Sequence, residues 1–230
     1  MGSLLFSAAE MRSDTIFYVY AVTDRAARGP LRVRGLAREP LRFVRCGPVT
    51  AVVGECAARP PIDERHLRAH AAAVRRLGRV LDPLLPARYG GVVRDRCALV
   101  DALAPRGRAL RRALREVRGR EQMTLRFPGA APPPRAPAGG ARGPGAGTRH
   151  LEALRAHRAA VPPELEALRP SLARLVRGER IEPASVHHLI ERGAGKAYAA
   201  AVARALGPRR AGHVLVFGPS PCWAFAPEES

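Results

Sequence analysis

A chain of 230 residues can form one large domain or two small ones, and 47% hydrophobic residues are enough to build a core. Aromatic residues make up only 5% of the chain, so this core must rest mainly on Leu, Val and Ala. No apolar run approaches the roughly 20 residues needed to cross a bilayer, and residues 1–6 are too short for the hydrophobic part of a signal peptide. We therefore expect a cytoplasmic protein without membrane contact.

The formal net charge is +19, and every basic residue except Lys196 is arginine. Such a surface attracts acidic proteins or nucleic acid. Nucleic-acid binding is therefore the alternative function, although the arginines near residues 108–118 have no interleaved aromatic residues for base stacking. A solvated helix face or an acidic protein partner explains these arginines equally well.

The first third of the chain alternates between strand and helix signals. Residues 15–22 are β-branched and aromatic, which is typical of a buried central strand. Residues 41–45 and 49–53 flank a Cys-Gly-Pro turn and predict a hairpin. Asp63 is a candidate N-cap of a helix. The predicted apolar face of that helix is formed by Leu67, His70, Val74 and Leu77.

Further elements complete a predicted N-terminal domain over residues 14–127. An extended segment at 84–89 is followed by two glycines, and a helical region at 94–117 is divided by Pro105. Residues 122–127 alternate as a strand does. Interleaved strands and helices predict an α/β or α+β sandwich.

Residues 128–147 consist almost wholly of Pro, Ala, Gly and Arg and predict a flexible linker. A C-terminal α+β domain with an extended tail is expected over residues 148–230. Its predicted elements are helices at 149–157, 164–176 and 193–206, and strands at 185–190 and 213–217.

Histidines are the main candidates for chemistry, but they do not form a catalytic set. His66 and His70 have the i, i+4 spacing of metal ligands, yet no third ligand is evident. His187 and His188 lie at adjacent strand positions and must point to opposite faces. The chain is therefore predicted not to be an enzyme, with no metal, cofactor or small-molecule substrate.

Two other patterns are weak. The four cysteines lack the close spacing of a zinc site, so we expect reduced and partly buried thiols. The segment from Gly193 to Lys196 is similar to a fragment of a phosphate-binding loop but lacks the full spacing and the following Ser or Thr. A strand-to-helix turn is the favoured interpretation.

Three stretches, in order along the chain, resemble the gas vesicle protein family GvpF/GvpL. The opening strand at 17–22 is similar to that family's first strand. His70, followed by a Leu-Pro-Ala-Arg-Tyr-Gly turn at 85–90, resembles the family's helix histidine and its Leu-Pro-x-Arg-Phe-Gly turn. The tail at 218–225 resembles the family's Gly-Pro-Trp-Pro-Pro-Tyr-Ser-Phe, with Ser220, Cys222 and Trp223 off that pattern.

The resemblance implies two α+β domains, the first ferredoxin-like, in a diverged member of the family. It also implies a cytoplasmic, vesicle-associated assembly protein whose partners are the hydrophobic shell protein and other vesicle accessory proteins. The candidate partner-binding or motif residues are His70, Pro86, Arg88, Tyr89, Gly90, Gly218, Pro219, Pro221, Trp223 and Phe225. Trp223 and Phe225 are predicted either to anchor a partner or to clasp the protein's own core.

Overall fold

The computed structural model describes residues 15–24, 31–128, 163–182, 184–210 and 214–227. These residues belong to two compact units. The first unit contains Met1–Arg118 with Phe225–Ser230, and the second contains Gly119–Ala224. Each unit has its own antiparallel sheet and helices, so the predicted α+β class is confirmed.

The sheet of the first unit has five strands. They are β1 (Ile16–Thr23), β2 (Leu41–Cys46), β3 (Val49–Cys56), β4 (Leu85–Pro86) and β5 (Val92–Val93). The strand order is β2-β3-β1-β4, and β5 also pairs with β1. All of these pairings are antiparallel. The last six positions of β1 are buried, as its β-branched and aromatic composition predicts for a central strand.

The first helix, α1 (Glu64–Val80), begins where the sequence predicts. The Asp63 carboxylate accepts the backbone N–H of His66 at 2.8 Å and so caps one free donor of the first turn. His70, Val74 and Leu77 are buried, but Leu67 is 42% exposed. The predicted apolar face is therefore confirmed except at its first member.

Two further helices, α2 (Arg96–Leu103) and α3 (Gly107–Val117), occupy the predicted helical region. Pro105 lies in the break between them, where its ring prevents one continuous helix. The buried residues of α3 include Leu110, Leu114 and Val117, the predicted apolar stripe.

The described residues of the second unit form a four-stranded sheet and two helices. The strands are β6 (Arg120–Arg126), β7 (Val176–Glu182), β8 (Ser185–Glu191) and β9 (Leu215–Ser220), in the order β7-β8-β6-β9. The helices are α4 (Pro163–Leu172) and α5 (Gly195–Arg210), and the backbone of α5 leaves helical geometry at Gly207. Leu165, Leu168 and Tyr198 from these helices pack with alternate residues of β6 and β8 in one core.

Among its described residues, the elements of the second unit follow in the order β6-α4-β7-β8-α5-β9, and in the sheet the first strand lies between the third and the fourth. This is the arrangement of a split βαβ, or ferredoxin-like, unit. The first sheet has the same strand order, and the structure describes no helix between β1 and β2, where residues 25–30 lie outside its described part.

The structure places β6 differently from the sequence prediction. The strand at 122–127 was expected to complete the N-terminal domain, but β6 is hydrogen-bonded between β8 and β9. The second unit accordingly begins at Gly119, ahead of the Pro/Gly-rich residues 128–147. Proximity along the chain suggested the wrong sheet, because antiparallel pairing joined β6 to strands that come much later in the sequence.

Two strands, β5 and β7, were not predicted. The helix expected at 164–176 ends at Leu172, and Val176 begins β7. Apart from Pro128, the predicted linker at 128–147 lies outside the described residues, as do the predicted helix at 149–157 and His213.

Candidate functional site

The family-like turn of the first unit interrupts the edge of the sheet. β4 pairs with β1 at Val22 and Ala21, and β5 pairs with β1 at Tyr18 and Phe17. After Pro86 the chain leaves the edge, and it returns at Val92. We call residues 86–91 the motif turn. Its two ends remain attached to β1, because Ala87 N–H donates to the Tyr20 carbonyl and Val19 N–H donates to the Gly91 carbonyl, each at 2.9 Å.

A buried histidine and a buried tyrosine form hydrogen bonds with the backbone of the motif turn. His70 Nε2 lies 3.1 Å from the Ala87 carbonyl, which can only accept, so this nitrogen carries the proton. Nδ1 must then accept from the Tyr18 hydroxyl at 2.9 Å. The same hydroxyl oxygen accepts the N–H of Gly90 at 3.2 Å. Two backbone groups of the turn are thus satisfied by one side-chain pair.

Burial favours the neutral form of both residues. It lowers the pKa of His70 from its ordinary value, with the hydrogen bond to the Ala87 carbonyl acting in the opposite direction. Burial also raises the pKa of Tyr18 to about 12. A neutral imidazole is the form that can accept from Tyr18 and donate to Ala87 at the same time, so the proton assignment and the burial agree.

Aromatic rings surround His70. The Tyr20 ring is stacked on it at 5.6 Å, and the Tyr89 ring stands perpendicular to it at 5.6 Å. The Tyr89 hydroxyl donates to the Pro61 carbonyl. Gly90 has φ +83, a conformation that favours glycine. The candidate residues His70, Tyr89 and Gly90 are therefore close together in the fold.

The outer side of the motif turn lines a cleft of about 480 Å³. The apolar walls of the cleft are formed by Val92, Val93, Leu99, Leu103 and Leu110. Three arginines, Arg59, Arg88 and Arg106, also line it. Ala226 and Pro227 lie at the same cleft, and Arg106 Nη2 donates to the Pro227 carbonyl at 2.9 Å. Pro86 and Arg88 thus face a concavity that already contacts the end of the described chain.

The tail residues of the second unit are held by β6. The buried Gln122 accepts the N–H of Ala224 on its side-chain oxygen at 2.9 Å, and its backbone carbonyl accepts from the Ser220 hydroxyl at 3.4 Å. Gly218 has φ +124, and a Cβ there would lie 2.8 Å from the Gln122 carbonyl oxygen. Glycine is therefore required for this close approach of the tail to β6.

The remaining tail candidates differ in exposure. Pro219 is exposed, Pro221 and Trp223 are half-buried, and Phe225 is 3% exposed. Trp223 and Phe225 lie in a short 3-10 helix, Trp223–Phe225. Gln122 was not among the candidates, and a single polar residue in an alternating strand gives no signal of its role in holding the tail.

The other described histidines, His66, His187 and His188, have local partners. His66 bonds to Asp63 at 2.8 Å and His70 to Tyr18, so the two do not converge on a shared metal position. His188 is buried against the Tyr198 hydroxyl at 2.6 Å, whereas His187 bonds to Thr124 on the opposite face, which confirms the predicted orientations. The described part of the chain contains no group of three or more His, Cys, Asp or Glu arranged to hold a metal.

The phosphate-loop fragment is a turn occupied by the protein's own carboxylate. Gly193 N–H donates to Glu121 Oε1 at 3.0 Å, and α5 begins at Gly195. The interpretation as a strand-to-helix turn is confirmed. None of the four cysteines forms a disulfide, and Cys46 and Cys222 are buried. Among the described helices, none is long and apolar enough to cross a membrane.

The described residues define a protein of two α+β units: one has a tyrosine-histidine pair under a proline-containing turn, and the other has a glycine-proline tail. Comparison of the sequence with models of known families identifies the family. Residues 16–227 match the model of the family "Gas vesicle synthesis protein GvpL/GvpF", and the chain belongs to that family. The description of the family names gas vesicle synthesis and no chemical reaction.

Solved structures show the same fold. The chain is similar to the crystal structure of the gas vesicle protein GvpF from Anabaena sp. PCC7120, with a TM-score of 0.68, 14% identity and coverage of 94% of this chain and 98% of that one. It is also similar to GvpF from Microcystis aeruginosa, with a TM-score of 0.65, 12% identity and coverage of 93% and 99%. Comparison with curated protein sequences gives no match. These findings lend no support to the alternative of nucleic-acid binding.

Proposed function

We propose that this protein acts in gas vesicle formation as an accessory or minor, vesicle-associated component that binds the hydrophobic shell protein during nucleation. Membership of the GvpL/GvpF family supports a role in vesicle formation. The observation that carries the binding role is the exposed apolar strand at one end of the second sheet, residues 214–217, which we call the apolar edge.

Within the described residues, one side of the backbone of the apolar edge has no paired strand, and two of its apolar side chains are exposed. β9 is the last strand in the sheet order, and no described strand pairs with its outer side. Val214 and Val216 face the core of the second unit, whereas Leu215 and Phe217 are 42% and 49% exposed. Pro219, which has no backbone N–H, limits the edge on its C-terminal side.

This surface suits a partner that must hide apolar groups. A shell subunit that exposes apolar surface before assembly would aggregate without a protective contact. Covering the exposed parts of Leu215 and Phe217 removes roughly 170 Å² from water, or about 4 kcal/mol at about 25 cal/mol per Å². Association costs at least as much, so the contact needs the backbone hydrogen bonds of an added strand as well.

The burial of Phe225 favours a tail that packs on the protein's own core over a tail that binds a partner. Phe225 is buried, so it cannot offer its ring to a partner without leaving its own packing. Leu215 and Phe217 are therefore our preferred contact residues for the shell protein. The motif-turn residues Pro86, Arg88 and Tyr89 remain candidates for a contact through the cleft that they line.

Co-expression with the shell protein tests this proposal. The tagged chain and its Leu215→Ser/Phe217→Ser variant are captured from the soluble fraction, and the retained shell protein is measured. We expect at least a tenfold loss of retention, because both apolar contacts are removed. Exposed substitutions change stability little, so circular dichroism of the variant is expected to match that of the parent.

The matched control is Ile62→Ser/Leu67→Ser. These two residues are exposed apolar residues of the first unit, at 84% and 42%, and their replacement is expected to leave retention unchanged. Equal losses in both variants would show that general surface hydrophobicity matters and the apolar edge does not. Failure of the parent chain to retain any shell protein would overturn the binding role itself.

A further inference from the structure

A concavity in the first unit collects arginines from two parts of the chain. It has a volume of about 700 Å³ and lies between the segment before β2 and the last turns of α1. The arginines that line it are Arg32, Arg34, Arg38, Arg76 and Arg79. We call this surface the arginine concavity.

The segment that presents three of these arginines is held in a fixed shape. The Tyr20 hydroxyl donates to Glu39 and accepts the N–H of Leu36 at 2.7 Å, and Ala37 N–H donates to Glu39 Oε2 at 2.9 Å. A Cβ at Gly35 would lie 2.5 Å from the Tyr20 hydroxyl oxygen, so glycine permits this close approach. These contacts fix the conformation of the loop that carries the three arginines.

Arg38 occupies a conformation that disfavours a side chain. Its φ is +66, and its backbone N–H donates to the Gly35 carbonyl at 3.2 Å to close the turn. Glycine or asparagine would adopt this backbone more easily. A residue kept at an unfavourable φ is a pointer to a role of its side chain, and here the side chain is a guanidinium at the concavity.

Nothing in the described residues neutralises the five guanidinium groups. No ion pair or side-chain hydrogen bond joins any of them to another described residue. The neighbouring carboxylate, Glu39, already accepts from Tyr20 and Ala37. Other arginines of the unit, such as Arg42 and Arg118, do have carboxylate partners. Like charges that converge on one concavity repel each other, and an acidic ligand would relieve this repulsion.

The surroundings favour carboxylates over phosphates. Val80, at the concavity, is 61% exposed and offers an apolar contact beside the arginines. Arg79 and Val80 end α1, and proteins commonly bind phosphate at the opposite, N-terminal end of a helix, where backbone N–H groups are free. Several separate guanidinium groups instead match carboxylates spaced along a peptide, each bound through two N–H donors.

We propose that the arginine concavity binds an acidic segment of a partner protein, with glutamates or aspartates about one helical turn apart and an aliphatic residue between them. This contact is separate from the apolar edge and does not depend on binding of the shell protein.

Fluorescence anisotropy with a labelled acidic peptide tests the proposal. The probe is a peptide of about 14 residues, or about four helical turns, with glutamates at i and i+4 around leucine. Its glutamine counterpart, a uridine oligonucleotide of equal length and inorganic phosphate serve as competitors. We expect Arg34→Glu/Arg76→Glu/Arg79→Glu to weaken peptide binding at least tenfold, and Arg108→Glu/Arg111→Glu/Arg115→Glu on α3 to weaken it less than about twofold.

Arg38→Gly separates binding from folding. Glycine accepts the positive φ, so the thermal midpoint is expected to stay the same or rise, while peptide binding weakens about threefold. Equal losses in the two triple variants would assign the binding to net charge and overturn the site. Preferential binding of the oligonucleotide or of phosphate, no binding of the peptide by the parent chain, or full affinity in Arg38→Gly would each overturn the proposal as well.

Discussion

In the first unit the strand position beside β1 is broken into β4 and β5, whereas in the second unit β9 runs beside β6 as a single strand. Both sheets otherwise have the same strand order. The break lets the chain leave the sheet as the motif turn and line a cleft. The unbroken strand instead leaves Leu215 and Phe217 exposed on a free edge. One topology therefore supports a concave surface in one unit and a flat apolar surface in the other.

Each unit also contains a buried contact between a tyrosine and a histidine. The residue that is on the helix in one unit is on the sheet in the other. In the first unit the histidine, His70, is on the helix and Tyr18 is on the sheet. In the second unit His188 is on the sheet, and Tyr198 is on the helix. The second ring nitrogen differs in its partner, because His70 bonds to a backbone carbonyl of the motif turn and His188 bonds to Glu179 at 3.0 Å. The first contact holds a surface turn, and the second holds a strand to a core.

Removal of His70 is expected to have the largest effect. His70→Ala leaves the Ala87 carbonyl without its donor, leaves the Tyr18 hydroxyl without its acceptor and creates a cavity. We expect a loss of about 3 kcal/mol in the free energy of unfolding. Hydrogen exchange at the Gly90 amide is also expected to speed up, because the support of the motif turn is lost.

His188→Ala is the matching change in the second unit. It should cost a similar free energy, since His188 and Tyr198 are both buried, but it should leave exchange at Gly90 unchanged. Urea denaturation and amide exchange by mass spectrometry separate the two effects. Faster exchange at the motif turn in both variants would contradict the distinction between the two contacts.

Removal of the tyrosine hydroxyl in each unit tests the same comparison with a smaller expected loss of stability. The Tyr18 hydroxyl donates to His70 and also accepts from Gly90, whereas the Tyr198 hydroxyl bonds to His188. Tyr18→Phe is expected to cost about 2 kcal/mol and Tyr198→Phe about 1 kcal/mol. Thermal or urea unfolding measures both, and a larger cost for Tyr198→Phe would show that the number of hydrogen bonds does not set the order.

Local patterns predicted most elements but not the sheet to which each belongs. The apolar and aromatic residues of β1 and the cap at Asp63 are signals contained within a few residues. β7 was missed because its arginines and glutamates carry no apolar alternation, although an edge strand tolerates such residues and is protected by them. Pairing of β6 with distant strands leaves no short-range signal, and neither does the shared topology of the two units.

The candidate site was predictable in part for the same reason. His70 and Gly90 stood out through the resemblance, but the role of Tyr18 depends on contacts 52 and 72 residues away. The arginine concavity combines residues near 35 with residues near 78, so no single stretch announces it. Composition predicted a basic surface, and only the fold could show where the arginines converge.

Acidification should weaken both units through their buried histidines. Burial lowers the folded pKa of His70 and of His188, whereas the unfolded histidine titrates near about 6.5. The unfolded state therefore binds more protons below about pH 6.5, and stability is lost as the pH falls from there through the folded pKa. We expect the free energy of unfolding to fall by up to about 1.4 kcal/mol per pH unit for each histidine.

The partners of the two histidines predict unequal shares of this loss. The hydrogen bond to the Ala87 carbonyl opposes the effect of burial on the pKa of His70, whose ring lies among three tyrosine rings. Glu179 favours the charged form of His188 through a hydrogen bond and its charge, while Arg169 and His187 disfavour it. Urea titrations between about pH 7.5 and 5 on His70→Gln and His188→Gln measure each share, since each variant removes one titrating group. We expect His70→Gln to flatten the pH dependence more, and a slope unchanged from the parent in both variants would rule out the buried histidines as its source.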